Sequence, residues 1–219
     1  MLDTKRREFL GVLAGTVASL GIAGTAGAET EPHAPIGDAP GLEAWLSRIK
    51  GKHRQLFDAP NIHDGMPLAW TRVFLMTNKS VGAAEDDVTA VLVLRHDAIA
   101  FAFDHHLWPK YKLGEVFKVT DGATSAPALR NPFYQPKSGE LMLPDMAVEA
   151  LITSGVLVGV CDMALTVYSG KIAKAMNMDA ADIKKEWVAG IIPGIQIVPS
   201  GVMAVNRVQE HKCTYCYAG

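Results

Sequence analysis

The spacing of hydrophobic positions changes character three times along this chain. Residues 41–57 carry Leu42, Trp45, Leu46, Ile49 and the pair Leu56-Phe57 at helical intervals with basic residues between them. That pattern predicts an amphipathic helix. Residues 68–77 include Val73-Phe74-Leu75-Met76, a short continuous apolar run of the kind buried parallel strands show, and residues 88–94 (VTAVLVL) form a stronger, β-branched run. Residues 99–103 either extend that strand or open the next helix. After Pro144 the pattern alternates: helix 145–153, strand 156–160, helices 163–176 and 180–188, strand 195–198, helix 201–210. Strands alternating with helices predict an α/β fold on a mostly parallel sheet.

The segments between these runs set the organisation. Residues 58–67 read as a turn-rich connector, and residues 29–40, rich in Pro, Gly, Ala and acids, as a mobile linker. Residues 108–144 are too long for an ordinary connection, and loops of that length are usually functional or lid-like. The expected division is therefore a leader over 1–28, a linker over 29–40, an N-terminal helical arm and connector over 41–67, and one α/β domain over 68–219.

The leader is the most informative stretch about location. Lys5-Arg6-Arg7-Glu8-Phe9-Leu10 precedes an apolar run over 12–23 that glycines dilute, and a small-residue stop follows at Ala26-Gly27-Ala28. This layout resembles a twin-arginine (Tat) signal peptide. The run is shorter than the roughly 20 residues a spanning helix needs, so cleavage after Ala28 is expected over retention as an anchor. The resemblance implies the Tat export machinery as a partner and a periplasmic or exported location. Cleavage removes three basic and two acidic residues, which takes the net charge from −2 to −3. Neither value offers an electrostatic footprint for nucleic acid.

Three cysteines, Cys161, Cys213 and Cys216, cannot all pair within one chain. Cys161 follows Gly155-Val156-Leu157-Val158-Gly159-Val160, where a strand ends and a helix begins. It is thus expected at the carboxyl edge of the sheet, where ligands bind in open α/β folds. A helix start favours the thiolate and predicts a thiol pKa below about 8.5, although free cysteines also serve as plain core residues.

The Val-Cys strand end, the helix after it and Gly194-Ile195-Gln196-Ile197-Val198-Pro199-Ser200-Gly201-Val202, leading into Ala204-Val205-Asn206-Arg207, resemble the DsrE/DsrF-like family of sulfur-relay proteins. The resemblance spans about residue 69 to the C-terminus. It implies a flavodoxin-like three-layer fold, a homo-oligomer, a sulfur donor or acceptor protein as partner, and a persulfide-carrying cysteine, to which Cys161 corresponds. Members of known role act in the cytoplasm and lack both the His105-His106 insertion and the C-terminal cysteine pair.

That pair has its own readings. Cys213 and Cys216, three apart, suit a redox disulfide that resolves Cys161, two thiolates on one metal ion such as Zn or Cu, or a small structural disulfide. Tyr217 after Cys216 excludes c-type haem attachment. His211 and one of His105 or His106 would complete a metal site, because adjacent residues point apart and only one of those two can join it. Arg95 and His96 close a buried strand at the same edge as Cys161 and are candidates for substrate binding. Arg130, in the long loop, either clamps an anion or pairs with a surface acid. Two functions follow: thiol-based sulfur transfer or redox chemistry through Cys161, or non-catalytic binding of a metal or small ligand. An oligomeric scaffold with a structural cysteine is a third.

Overall fold

Why the second apolar run folds as a helix is settled by its entry. Gly65 takes φ 85° and Pro67 occupies the first helical turn, a glycine-then-proline start that suits a helix and not a buried strand. In the computed structural model, which describes residues 41–219, this helix is α2 (Met66–Ser80), and it follows α1 (Leu42–Leu46) and β1 (His53–Ala59). Leu68, Thr71 and Leu75 face inward at helical spacing while Val73 and Met76 are exposed, so the contiguous apolar run is only the overlap of two helix faces. The expected strand over 68–77 is thus corrected to a helix.

The expected helix over 41–57 is corrected as well. α1 ends at Leu46, Gly51 turns the chain at φ 81° against the carbonyl of Asp87, and β1 begins two residues later. β1 sends Leu56 to one side of the sheet and Phe57 to the other. The boundary at residue 68 would therefore cut a central strand away from its sheet. The leader 1–28 and linker 29–40 lie outside the described residues.

The remaining elements are β2 (Val88–Leu94), a 3₁₀ stretch (His96–Ala102), α3 (Leu107–Lys110), α4 (Leu113–Val116), α5 (Val148–Thr153), β3 (Leu157–Cys161), α6 (Asp162–Met176), α7 (Ala180–Ala189), β4 (Gln196–Val198), α8 (Gly201–Glu210) and β5 (Thr214–Tyr217). Among the described residues the five strands are all parallel, in the order β4-β3-β2-β1-β5. One face is covered by α2, α5, α6 and α7 through Leu68, Leu151, Leu165 and Trp187, and the other by α1 and α8 through Trp45, Ala204 and Val208. The chain is a flavodoxin-like three-layer α/β sandwich.

Each step from β1 to β4 advances one strand and passes over the first face. The step from β4 to β5 returns beneath the second face through α8 and crosses the sheet to lie beside β1. The connections leaving β3 and β4 consequently depart to opposite faces. A crevice opens at such a switch point, outside the carboxyl ends of the two strands.

Residues 108–144 are anchored to the core and do not form a loose lid. Trp108 and Tyr111 are buried, as is Asn131, whose amide donates to the carbonyls of Phe101 (3.2 Å) and Phe103 (2.8 Å) and whose oxygen accepts the N–H of Phe133 (2.9 Å). A buried side-chain amide with three such bonds fixes the segment, because breaking any one strands a polar group away from water.

Candidate functional site

Cys161 is the last residue of β3 and the N-cap of α6, so it stands at the switch point. Its Sγ accepts the N–H of Ala164 at 3.3 Å, and the N–H groups of Gly201 and Met163 also act on it. Two helix starts, α6 and α8, therefore converge on one sulfur, which is only 6% exposed. Burial pushes the Cys161 thiol above its ordinary range, and these backbone N–H groups pull the other way without cancelling it. The expected depressed pKa is thus corrected: in a site this dry, removing the thiolate from water outweighs what the helix starts return.

Gly201 fits because it lacks a side chain. A Cβ there would lie 2.5 Å from the Cβ of Arg95, so the stem of Arg95 rests directly on the first residue of α8. The guanidinium continues to Asp58 on β1, donating from Nε to Oδ1 at 2.6 Å and from Nη2 to Oδ2 at 2.9 Å. Asp58 is 2% exposed, and the Tyr215 hydroxyl of β5 donates to its Oδ2 at 2.8 Å. Burial together with the Asp58 carboxylate raises the Tyr215 phenol to about 12. Arg95 is therefore present at the edge, as expected, but held in a two-point ion pair.

His96, just beyond β2, adopts φ 51°, and its Nδ1 lies 3.3 Å from Oδ1 of Asp97. The same carboxylate accepts the hydroxyl of Tyr168 from α6, and the His96 and Tyr168 rings meet edge to face. Burial, then the bond to Asp97, drives the Tyr168 phenol far above its ordinary value, so this hydroxyl is a permanent donor. Asp97 also lines a cleft of about 340 Å³ at the carboxyl ends of β1 and β2, with His63 and Asp64 on one side and Phe117, Lys118 and Phe133 on the other. His63, Asp64 and Lys118 share the left-handed backbone of His96, strain of the kind that gathers at functional edges. Cys161 is not in the wall of that cleft.

The tail residues do not assemble. Cys213 immediately precedes β5 and Cys216 lies within it. Cys213 packs into the core beneath α8, and Cys216 packs against the core on the α2 side. All three thiols are free. Cys213 and Cys216 pack against different core clusters, so this arrangement does not bring the two sulfurs together as a redox pair, a chelating pair or a small disulfide. His211 caps the end of α8. His105 stacks near Tyr134, while His106 reaches Asp104 with Nδ1 at 3.4 Å, so the two point apart as their adjacency requires. Among the described residues no three His, Cys, Asp or Glu side chains are grouped to hold a metal ion. Arg130 pairs with Glu140 in its own loop, the bland alternative to an anion clamp.

The partners that matter most at this edge were not singled out from sequence. Asp58 does carry a local signal, being one acid inside Leu56-Phe57-Asp58-Ala59, but the turn-rich pattern of residues 58–67 masks it. Asp97 shares the polar strand end of Arg95 and His96, whereas Tyr168 and Tyr215 carry no local signal, because their roles come from strands and helices far apart in sequence.

Comparison with models of known protein families finds no match. Neither curated proteins nor solved structures give one.

Proposed function

We propose that this protein is an exported sulfur carrier of the DsrE-like kind, in which Cys161 accepts and passes on a sulfane sulfur. The observation that supports this most is the convergence of two helix starts on the Cys161 sulfur at the switch point. In the accepting step the Cys161 thiolate attacks the outer sulfur of a donor persulfide. A new S–S bond forms at Cys161, the donor's S–S bond breaks, and the donor leaves as a thiolate, so no external oxidant or reductant is consumed. A persulfide is a stronger acid than its parent thiol, and its terminal sulfur stands one S–S bond, about 2 Å, further out. The loaded form therefore carries its anion nearer to solvent, while the backbone N–H groups hold the inner sulfur. A raised thiol pKa keeps the empty carrier unreactive toward casual oxidants and alkylating agents.

The test is incubation with a small-molecule persulfide donor, followed by intact-mass and peptide mass spectrometry. The expected product gains one sulfur atom at Cys161, releases it on adding a thiol, and does not form with Cys161→Ser. Loading at Cys213 or Cys216 in place of Cys161, or no loading at all, overturns the reading. Export belongs to the same proposal: Arg6→Lys with Arg7→Lys should leave an uncleaved precursor in the cytoplasm, and normal export of that variant would remove it.

A further inference from the structure

We infer that the Asp58 carboxylate is a latch on Arg95, holding its charge away from Cys161 and so keeping the thiol in its resting, protonated form. The inference rests on the Cys161 reading above but does not require sulfur transfer to be the reaction. Its basis is register. β2 and β3 pair up to Leu94↔Val160, and Arg95 continues in extended backbone, so Arg95 and Cys161 are neighbours at the ends of adjacent strands. Adjacent strands lie about 4.8 Å apart. Asp58 pairs with Val93, and Val93 with Gly159, which puts Asp58 one strand beyond Arg95 and further back from the edge. The guanidinium nonetheless points to Asp58, by two bonds, and away from its nearer neighbour.

The other charges around the sulfur do not replace it. On α6, Asp162 raises the thiol pKa and is itself bound by Lys184 of α7 at 2.8 Å. The first turn of α8 has no acid, and its basic residue, Arg207, is in the last turn, bonded to Glu43 and Glu210. Asp97 and Tyr168 hold each other, with His96 Nδ1 beside them. β5 brings Tyr215, bonded to Asp58, and Tyr217. Arg95 is therefore the cation best placed by register to stabilise a thiolate at Cys161, and Asp58 is what occupies it.

The consequence has a sign that a purely structural role does not share. Neutralising Asp58 frees a positive charge beside Cys161, whereas removing Arg95 takes one away, so the two variants should move the thiol in opposite directions. A unit charge about 8 Å away, at an effective dielectric between about 20 and 30, moves a pKa by roughly 1 to 1.5 units. The experiment is iodoacetamide alkylation against pH on the intact protein, read by mass spectrometry at the Cys161 peptide so that Cys213 and Cys216 do not interfere. Asp58→Asn should lower the midpoint and speed alkylation at neutral pH by about tenfold, the factor that one unit implies. Arg95→Met should raise it, and Arg95→Lys, which keeps the charge, should stay near the parent. Should Asp58→Asn fail to fold, the contrast between Arg95→Met and Arg95→Lys still decides. Midpoints that move in the same direction for Asp58→Asn and Arg95→Met, that do not move, or that are equal in Arg95→Met and Arg95→Lys overturn the latch. Failure of sulfur loading with these shifts intact would instead remove the proposed function and leave the latch standing.

Discussion

At the scale of single residues, the cysteines show how much a side chain's role depends on the backbone beneath it. Cys213 and Cys216 are three apart, a spacing that can bring sulfurs together in a turn, but the chain enters β5 directly after Cys213 and the two pack against different core clusters. We predict that the protein purified without reductant titrates with three thiols after unfolding. Cys213→Ser, which sets a hydroxyl among apolar neighbours, should cost about 1–3 kcal/mol in a denaturant melt, and Cys216→Ser clearly less, because Cys216 is only half-buried. Two thiols fewer, or equal losses in the two variants, would contradict the split. Burial also lifts the Cys213 thiol to about 11, which leaves it an inert core residue. The position of Cys161 at a strand-to-helix edge was legible in its own segment. Its raised pKa was not, because the α8 start and the packing that dries the site come from residues about forty positions later.

At the scale of elements, legibility follows locality. β2 and α8 lie where their own patterns place them, since a β-branched run and an amphipathic ten-residue stretch each carry enough local signal. The pattern mispredicts α2 and β1 for a shared reason: both are apolar on more than one side, and periodicity alone cannot separate a buried helix from a buried strand over such a length. The Gly65 and Pro67 punctuation was the better guide. The insertion between β2 and α5 is held partly by two carboxylates, Glu140, which Arg130 binds, and Glu186 of α7, which Lys110 and then Tyr111 bind. Hydrogen bonds from these partners, chiefly Arg130 and Lys110, depress both carboxyl pKa values. A depressed acid contributes stability that is present above its unfolded pKa, near 4.3 for Glu, and lost as pH falls through its folded value. Amide protection in residues 107–141 should therefore drop below about pH 4 while β2 and β3 remain protected. Glu140→Gln should show the weakened protection near Arg130 already at neutral pH. Uniform loss of protection across the sheet would contradict this.

At the scale of the whole molecule, both edges of the architecture converge on one rim. The switch point, the ion pair and the cleft all lie at the carboxyl ends of the strands, although their residues are drawn from positions 58 to 215. The mostly parallel α/β class is readable from the alternation after Pro144, the three-layer arrangement only from the family resemblance, and the strand order from neither, because nothing local tells β5 to cross the sheet. That crossing bears on how the protein is made. β1 is the first strand of the sheet to be synthesised and its second neighbour, β5, is the last, with Gln55 paired to Thr214. Closing so long a loop is a slow, late event. Until β5 has been made and has docked, β1 presents a bare hydrogen-bonding edge, and the Asp58 carboxylate lacks the hydroxyl of Tyr215. A chain that has not yet docked β5 would have its core nearly complete and its rim unfinished, so the ion pair at the rim takes its final form only when the last strand of the sheet arrives.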